Sequence, residues 1–189
     1  MTTTLFATDW HALIDPKLDD FIATGTMVLD DVFGADDLTA LQAESGFIDY
    51  KEAHLTHGER ETAIRGDSIR WIDETCSVGS AYLGAIDELG RYFNATLYTG
   101  IRSSEAHYAR YPSGFGYKWH SDNPKGRDER VISAVFYLND NWTADNGGAI
   151  TVVDKVGETT QRLPQLSSLV RFDINLFVQI EITKRTRFC

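Results

Sequence analysis

Cysteine is almost missing: Cys76 and Cys189 are the two that occur, far apart and in no C-x-x-C pattern. That usage indicates neither a disulfide framework nor a zinc knuckle, and it suits a reducing compartment. No apolar run approaches the roughly 20 residues needed to span a bilayer. The opening Met1-Thr2-Thr3-Thr4-Leu5-Phe6 also lacks the basic and long apolar regions of a signal peptide. A cytoplasmic protein with no membrane partner is the expectation. Positive charge is scarce as well, with 18 Lys and Arg against 28 Asp and Glu and a net charge of −10. Such a surface repels phosphate backbones, and Lys184, Arg185 and Arg187 form the sole basic cluster, so nucleic acid is not an expected partner.

What is present is enough for one compact domain over residues 1–189, with 42% hydrophobic residues to bury. Trp10, Leu13, Ile14, Leu18, Phe21 and Ile22 recur at spacings of three and four around Pro16, which predicts one or two short packing helices. Thr26 to Leu29 reads as a brief strand. Asp36 is a plausible N-cap for a helix through Glu44, and a helical stripe from Gly79 to Phe93 ends at Asn94, a residue that tolerates a left-handed cap. Thereafter the period is two. Ala106–Tyr111, Val131–Leu138, Gly148–Val153, Ser168–Phe172 and Leu176–Ile182 predict strands separated by Gly, Pro and Asn turns. Helices followed by evenly spaced strands imply a mainly β, α+β chain: residues 1–105 as helical support, residues 106–189 as a sandwich or jelly-roll core.

Chemistry concentrates in Tyr117-Lys118-Trp119-His120-Ser121-Asp122-Asn123-Pro124. Residues two apart on a strand share a face, so His120 and Asp122 can converge on one metal ion. They would supply two of the three ligands of the two-histidine, one-carboxylate set found in non-haem Fe(II) oxygenases; the plainer reading is a solvated rim pair. The polar stretch from Asp49 to Thr62, with His54 and His57, reads as a mobile loop, and those histidines as solvated. Arg65 and Asp67 flank a turn at Gly66 that leads into a half-buried strand through Ile69 and Trp71, and they read most simply as a surface turn pair.

Taken together, Arg65-Gly66-Asp67-x-Ile69-x-Trp71-Ile72, Tyr111-Pro112, Gly116-Tyr117, His120-x-Asp122-Asn123-Pro124, Arg130, Phe136-Tyr137-Leu138-Asn139, Trp142 and Gly147-Gly148 resemble the prolyl hydroxylase domains that modify hypoxia-inducible factor and their bacterial relatives. The resemblance runs from about residue 26 to 188. It implies the double-stranded β-helix, a jelly-roll variant, with Fe(II) and 2-oxoglutarate as cofactor and cosubstrate and ascorbate as an accessory reductant. His120 and Asp122 would hold the iron. Tyr111 and Tyr137 would contact 2-oxoglutarate, and Arg187, with Arg185 behind it, would meet its far carboxylate, a match for a planar guanidinium. Asp67 and Arg130 would pair at the substrate mouth, with Trp119 beside them, to position a proline-containing protein or peptide. Within the bacterial branch, the substrate the resemblance suggests is a proline in elongation factor Tu.

One departure stands out. The family carries a second iron-binding histidine near its C-terminus, yet no histidine follows His120 here. The slot falls in Phe177-Val178-Gln179-Ile180-Glu181-Ile182, with Gln179 as third ligand in one register and Ile180 occupying the place in the other. The family strand also runs on past the arginine, whereas this sequence stops at Cys189 and reads as truncated. The leading expectation is a 2-oxoglutarate- and Fe(II)-dependent prolyl hydroxylase with an incomplete iron triad. The alternatives are an impaired homologue acting as a peptide-binding module, and a hydroxylase of a free amino acid or other small molecule.

Overall fold

The computed structural model describes residues 5–54, 61–122 and 130–164 with their side chains, and residues 169–173, 177–182 and 187–188 as backbone strands. The front of the chain is helical. Helix α1 (Trp10–Ile14) starts where the Asp9 carboxylate accepts the Ala12 amide at 3.1 Å, and a 3₁₀ turn carrying Pro16 separates it from α2 (Leu18–Thr24). Gly25 ends α2 at φ 79°, a left-handed conformation that glycine takes without steric penalty. Trp10, Ile14 and Phe21 are buried as expected, while Ile22 faces solvent.

Strand β1 (Thr26–Leu29) leads to helix α3 (Ala35–Phe47). The expected cap Asp36 is displaced. Gly34 is the N-cap, and Asp37 reaches back to accept the Gly34 amide at 3.2 Å and the Phe6 amide at 3.0 Å, which pins the N-terminal segment to α3. Strands β2 (Lys51–Glu52) and β3 (Ser68–Trp71) precede α4 (Ser77–Leu97), which runs four residues past Phe93. Its left-handed cap is Tyr98, at φ 54°, not Asn94. The Asn94 side chain instead donates to the Ile101 carbonyl at 2.7 Å and accepts from the Ile101 amide at 2.8 Å, stitching the exit loop to the helix. The predicted Asp49–Thr62 loop therefore contains a short strand, and its residues 55–60, His57 among them, lie outside the described residues.

The remaining strands are β4 (His107–Tyr111), β5 (Gly116–His120), β6 (Ile132–Phe136), β7 (Gly147–Val153), β8 (Thr159–Arg162), β9 (Leu169–Asp173), β10 (Phe177–Ile182) and β11 (Arg187–Phe188). All five predicted β runs are present with ends shifted by a residue or two; β8, short and polar, gave no period-two apolar signal. The described strands form three antiparallel sheets, ordered β1-β9-β6, β5-β10-β7-β8 and β11-β4-β3-β2. Trp142 Nε1 donates to the Gly147 carbonyl at 2.6 Å, and Gly147 and Gly148 take positive φ, so these residues shape the entry to β7.

Two buried clusters result. The larger joins the helices to β1 and β6 through edge-to-face aromatic contacts, such as Phe6–Phe33 at 5.1 Å and Phe33–Phe136 at 5.2 Å. Glu44 of α3 ties this layer to the strands: its carboxylate accepts the Val78 and Gly79 amides at the start of α4, at 2.8 and 2.7 Å, and the Tyr108 hydroxyl at 2.7 Å. The smaller cluster, Ala109, Tyr111, Tyr137, Ile150 and Val152, lines the inner face of the strands that carry the candidate site. No helix among the described residues is long and apolar enough to cross a membrane.

Candidate metal and cosubstrate site

Strand β5 ends at His120, so Asp122 lies beyond the strand and not on it. The two side chains nevertheless meet. His120 Nε2 is 3.1 Å from Asp122 Oδ1, with only 18% and 21% of the two side chains exposed. His120 Nδ1 lies 2.7 Å from the Lys118 carbonyl, to which Nδ1–H donates, so Nε2 is turned to Asp122: a hydrogen-bond donor to the carboxylate when protonated, a lone pair for a cation when not. Burial alone pushes the Asp122 carboxyl up; hydrogen bonds from His120 and Ser133 and the charge of Arg130 outweigh it and hold the group below its ordinary value, ionised at neutral pH.

This pair fits part of an iron site. Two ligands about 2.1 Å from one metal and at right angles are about 3.0 Å apart, close to the separation here. A third donor is not found: among the described residues no three His, Cys, Asp or Glu side chains cluster closely enough to hold a metal.

The ladder locates the place where a third donor would come from. On β10, Val178 is opposite His120 of β5 and Val152 of β7; Gln179 is opposite Thr151; Ile180 is opposite Tyr117 and Ile150. Between these pairs two residues of β5, Lys118 and Trp119, match the single Gln179 of β10, a bulge that puts Tyr117 and His120 on the same side of the strand. Their rings stack at 3.6 Å and 15°.

Behind that stack stands a column that the sequence did not reveal. The Arg65 guanidinium lies 4.9 Å over the Tyr117 ring, and Asp67 grips it with two hydrogen bonds, Nε to Oδ1 at 2.8 Å and Nη2 to Oδ2 at 3.1 Å. Asp67 is wholly buried, so the expected surface turn pair is a buried ion pair. Burial opposes the Arg65 charge, but its hydrogen bonds to Asp67 and the carboxylate's charge win and raise its pKa further. Burial likewise pushes the Tyr117 phenol up, with Arg65 pulling against it. The Gly66 amide donates to the Gly116 carbonyl at 3.0 Å and the Lys118 amide to the Ile64 carbonyl at 2.9 Å, which lays residues 64–66 along β5. Glycine is required there, because a Cβ on residue 66 would sit 2.5 Å from the Phe115 ring. The i, i+2 charge pair of Arg65 and Asp67 was the available signal; what it grips was not.

Tyr111 and Tyr137 come together in the smaller buried cluster, and Arg187 sits across the ladder from Tyr111, on the same face of that sheet. Arg185 lies outside the described residues. The expected pairing of Asp67 with Arg130 is not what forms. Asp67 is engaged by Arg65, while Arg130 donates to Glu105 at 3.3 Å and to the Asp122 main-chain carbonyl at 3.2 Å. Trp119 is exposed on β5.

With this geometry in view, the likeness to known proteins is specific. Residues 106–187 match the family model of the 2OG-Fe(II) oxygenase superfamily. A prolyl-4-hydroxylase from Pseudomonas putida superposes with a TM-score of 0.82 at 30% identity, over 92% of this chain and 93% of that one. The chain belongs to the 2OG-Fe(II) oxygenase superfamily. Its relatives there include prolyl hydroxylases: human EGLN3 is 39% identical over 108 residues, 54% of this chain and 45% of that protein, and human Egl nine homolog 1 is 33% identical over 141 residues, 67% of this chain and 32% of that protein. The chain therefore spans less than half the length of these curated relatives. A prolyl hydroxylase from Trichoplax adhaerens, in complex with a peptide of hypoxia-inducible factor, shares the fold at a TM-score of 0.82 and 22% identity.

Proposed function

We propose that this chain is a 2-oxoglutarate- and Fe(II)-dependent oxygenase of the prolyl hydroxylase type, acting on a proline within a protein or peptide in the cytoplasm. The observation that carries the reading is the anchored His120–Asp122 pair beside the buried Tyr111 and Tyr137. The sheet orders support a double-stranded β-helix, with β5-β10-β7-β8 as one wall and β4-β11 with β6-β9 as the other. Bound iron would supply oxygen activation; the chain's own residues do the rest. His120 and Asp122 would hold the metal, Arg187 would meet the far carboxylate of 2-oxoglutarate, and Tyr111 and Tyr137 would wall that pocket from water. Within the bacterial branch of the family, elongation factor Tu is the substrate to try first.

Anaerobic titration with Fe(II) and 2-oxoglutarate, read by the visible charge-transfer band of the chelate, tests the site. Incubation in air with ascorbate and a proline-containing segment of elongation factor Tu, read by mass spectrometry, tests the reaction. Gain of one oxygen on proline matched by succinate formation supports the proposal; succinate with no change in any prolyl peptide refutes the substrate class. The lack of a three-donor cluster among the described residues favours a second reading, a peptide-binding module without turnover, which predicts peptide binding by calorimetry with neither band nor succinate.

A further inference from the structure

We infer that position 178, occupied by valine, is where this fold expects the third metal ligand, and that neither Gln179 nor Ile180 takes that part, so the chain holds metal through His120 and Asp122. The inference rests on the reading of those two residues as metal ligands. Its observation is the strand register. Residues directly opposite on antiparallel strands are about 4.5–5.5 Å apart at Cα and share a face. Val178 stands in that relation to His120 on one side and to Val152 on the other. Val152 and Ile150 are buried in the cluster with Tyr111 and Tyr137, which identifies their face of β7 as the inner one.

Gln179 is opposite Thr151, whose place in the alternation of β7 is on the other face. A side-chain amide at 179 therefore starts from the wrong side of the sheet. Ile180 returns to the inner face, but opposite Tyr117, about 6.6 Å further along β10 than position 178, and isoleucine has no donor atom. Valine has none either. The place across from the anchored imidazole is thus held by a residue with no donor atom, which agrees with the lack of a three-donor cluster among the described residues.

A histidine scan tests this with Mn(II), a redox-stable divalent probe, titrated calorimetrically into the whole chain with 2-oxoglutarate present. Val178→His is expected to tighten Mn(II) binding by more than about 10 to 100-fold, the range attached to residues that merely support a ligand. Gln179→His and Ile180→His are expected to stay at the parent's weak affinity, and adding His120→Ala to Val178→His is expected to abolish the gain. Should Val178→His fail to fold by circular dichroism, Val178→Cys, close to valine in volume, repeats the comparison with Zn(II), which accepts thiolate and imidazole alike. Tight binding gained at 179 or 180 in place of 178 overturns the register. So does a gain that survives loss of His120. Parent affinity already equal to that of Val178→His overturns the two-donor centre, since a donor from outside the described residues must then complete it. Tight Mn(II) binding by Val178→His with no prolyl turnover under Fe(II) leaves this inference standing and counts against the prolyl hydroxylase reading.

Discussion

Removing the Asp67 carboxylate should be among the most damaging single changes available outside the aromatic core. Asp67 has no exposed surface, Arg65 keeps 18% of its side chain exposed, and two hydrogen bonds of 2.8 and 3.1 Å join them. Asp67→Ala leaves a guanidinium in low dielectric without its counter-charge, and breaking a buried pair from one side costs about 3–5 kcal/mol. For a chain of this size each kcal/mol moves Tm by about 2–4 °C, so a fall of about 6–20 °C is expected. The pair is shielded from solvent, so high salt should leave the difference largely unchanged. The change should also reach the site: without Asp67 the guanidinium no longer holds the Tyr117 ring against His120, and divalent metal affinity should drop about 10-fold, as for other residues that orient ligands. The assay is equilibrium urea unfolding of parent, Asp67→Ala, Arg65→Met and the Arg65→Met/Asp67→Leu double variant. The double variant should recover more than half of the loss, because matched apolar groups leave no stranded charge. A loss under about 1 kcal/mol for Asp67→Ala, or one that vanishes at high salt, would refute the buried-pair argument.

Three further outcomes are expected. Gly66→Ala should destabilise by about 1–3 kcal/mol through overpacking; because Phe115 Cβ itself lies 2.6 Å from the new methyl, Phe115→Ala should not rescue it in thermal melts, whereas Phe115→Gly should. Glu44→Ala strands two helix-start amides and the Tyr108 hydroxyl, and roughly 3 kcal/mol should be lost in denaturant titration, with Glu44→Gln keeping part of it. His107 has its pKa pushed down, by burial first and then by Arg65, so the unfolded chain binds the proton more readily than the folded one. Stability should therefore be fully present above the ordinary histidine value of about 6.5 and fall below it, by at most about 1.4 kcal/mol per pH unit, until the lower folded pKa is passed; His107→Phe should flatten that part of the pH–stability curve.

Sequence by itself determined a good deal. Period-two patterning located the five main strands, because burial of one sheet face leaves its mark on alternate residues. The His-x-Asp spacing picked out the pair that the structure brings to 3.1 Å, and Tyr111 and Tyr137 do share a buried cluster. Composition and charge narrowed the expected partners before any geometry was considered. Tertiary structure alone decided how the strands align. A slip of one residue exchanges the two faces of a strand, and alternation reads the same from either register, so Phe177–Ile182 could be recognised as a strand while its alignment with His120 stayed open. The bulge in β5 then shifts the count between Tyr117 and His120, which no periodicity announces. Asp67 illustrates the same limit. A charged residue next to a glycine turn reads as surface, and only the packing of residues 64–66 along β5 encloses it with Arg65 behind the Tyr117–His120 stack. Local chemistry is written in neighbouring residues; which distant residues it faces is set by strand register and by what the folded chain shields from water.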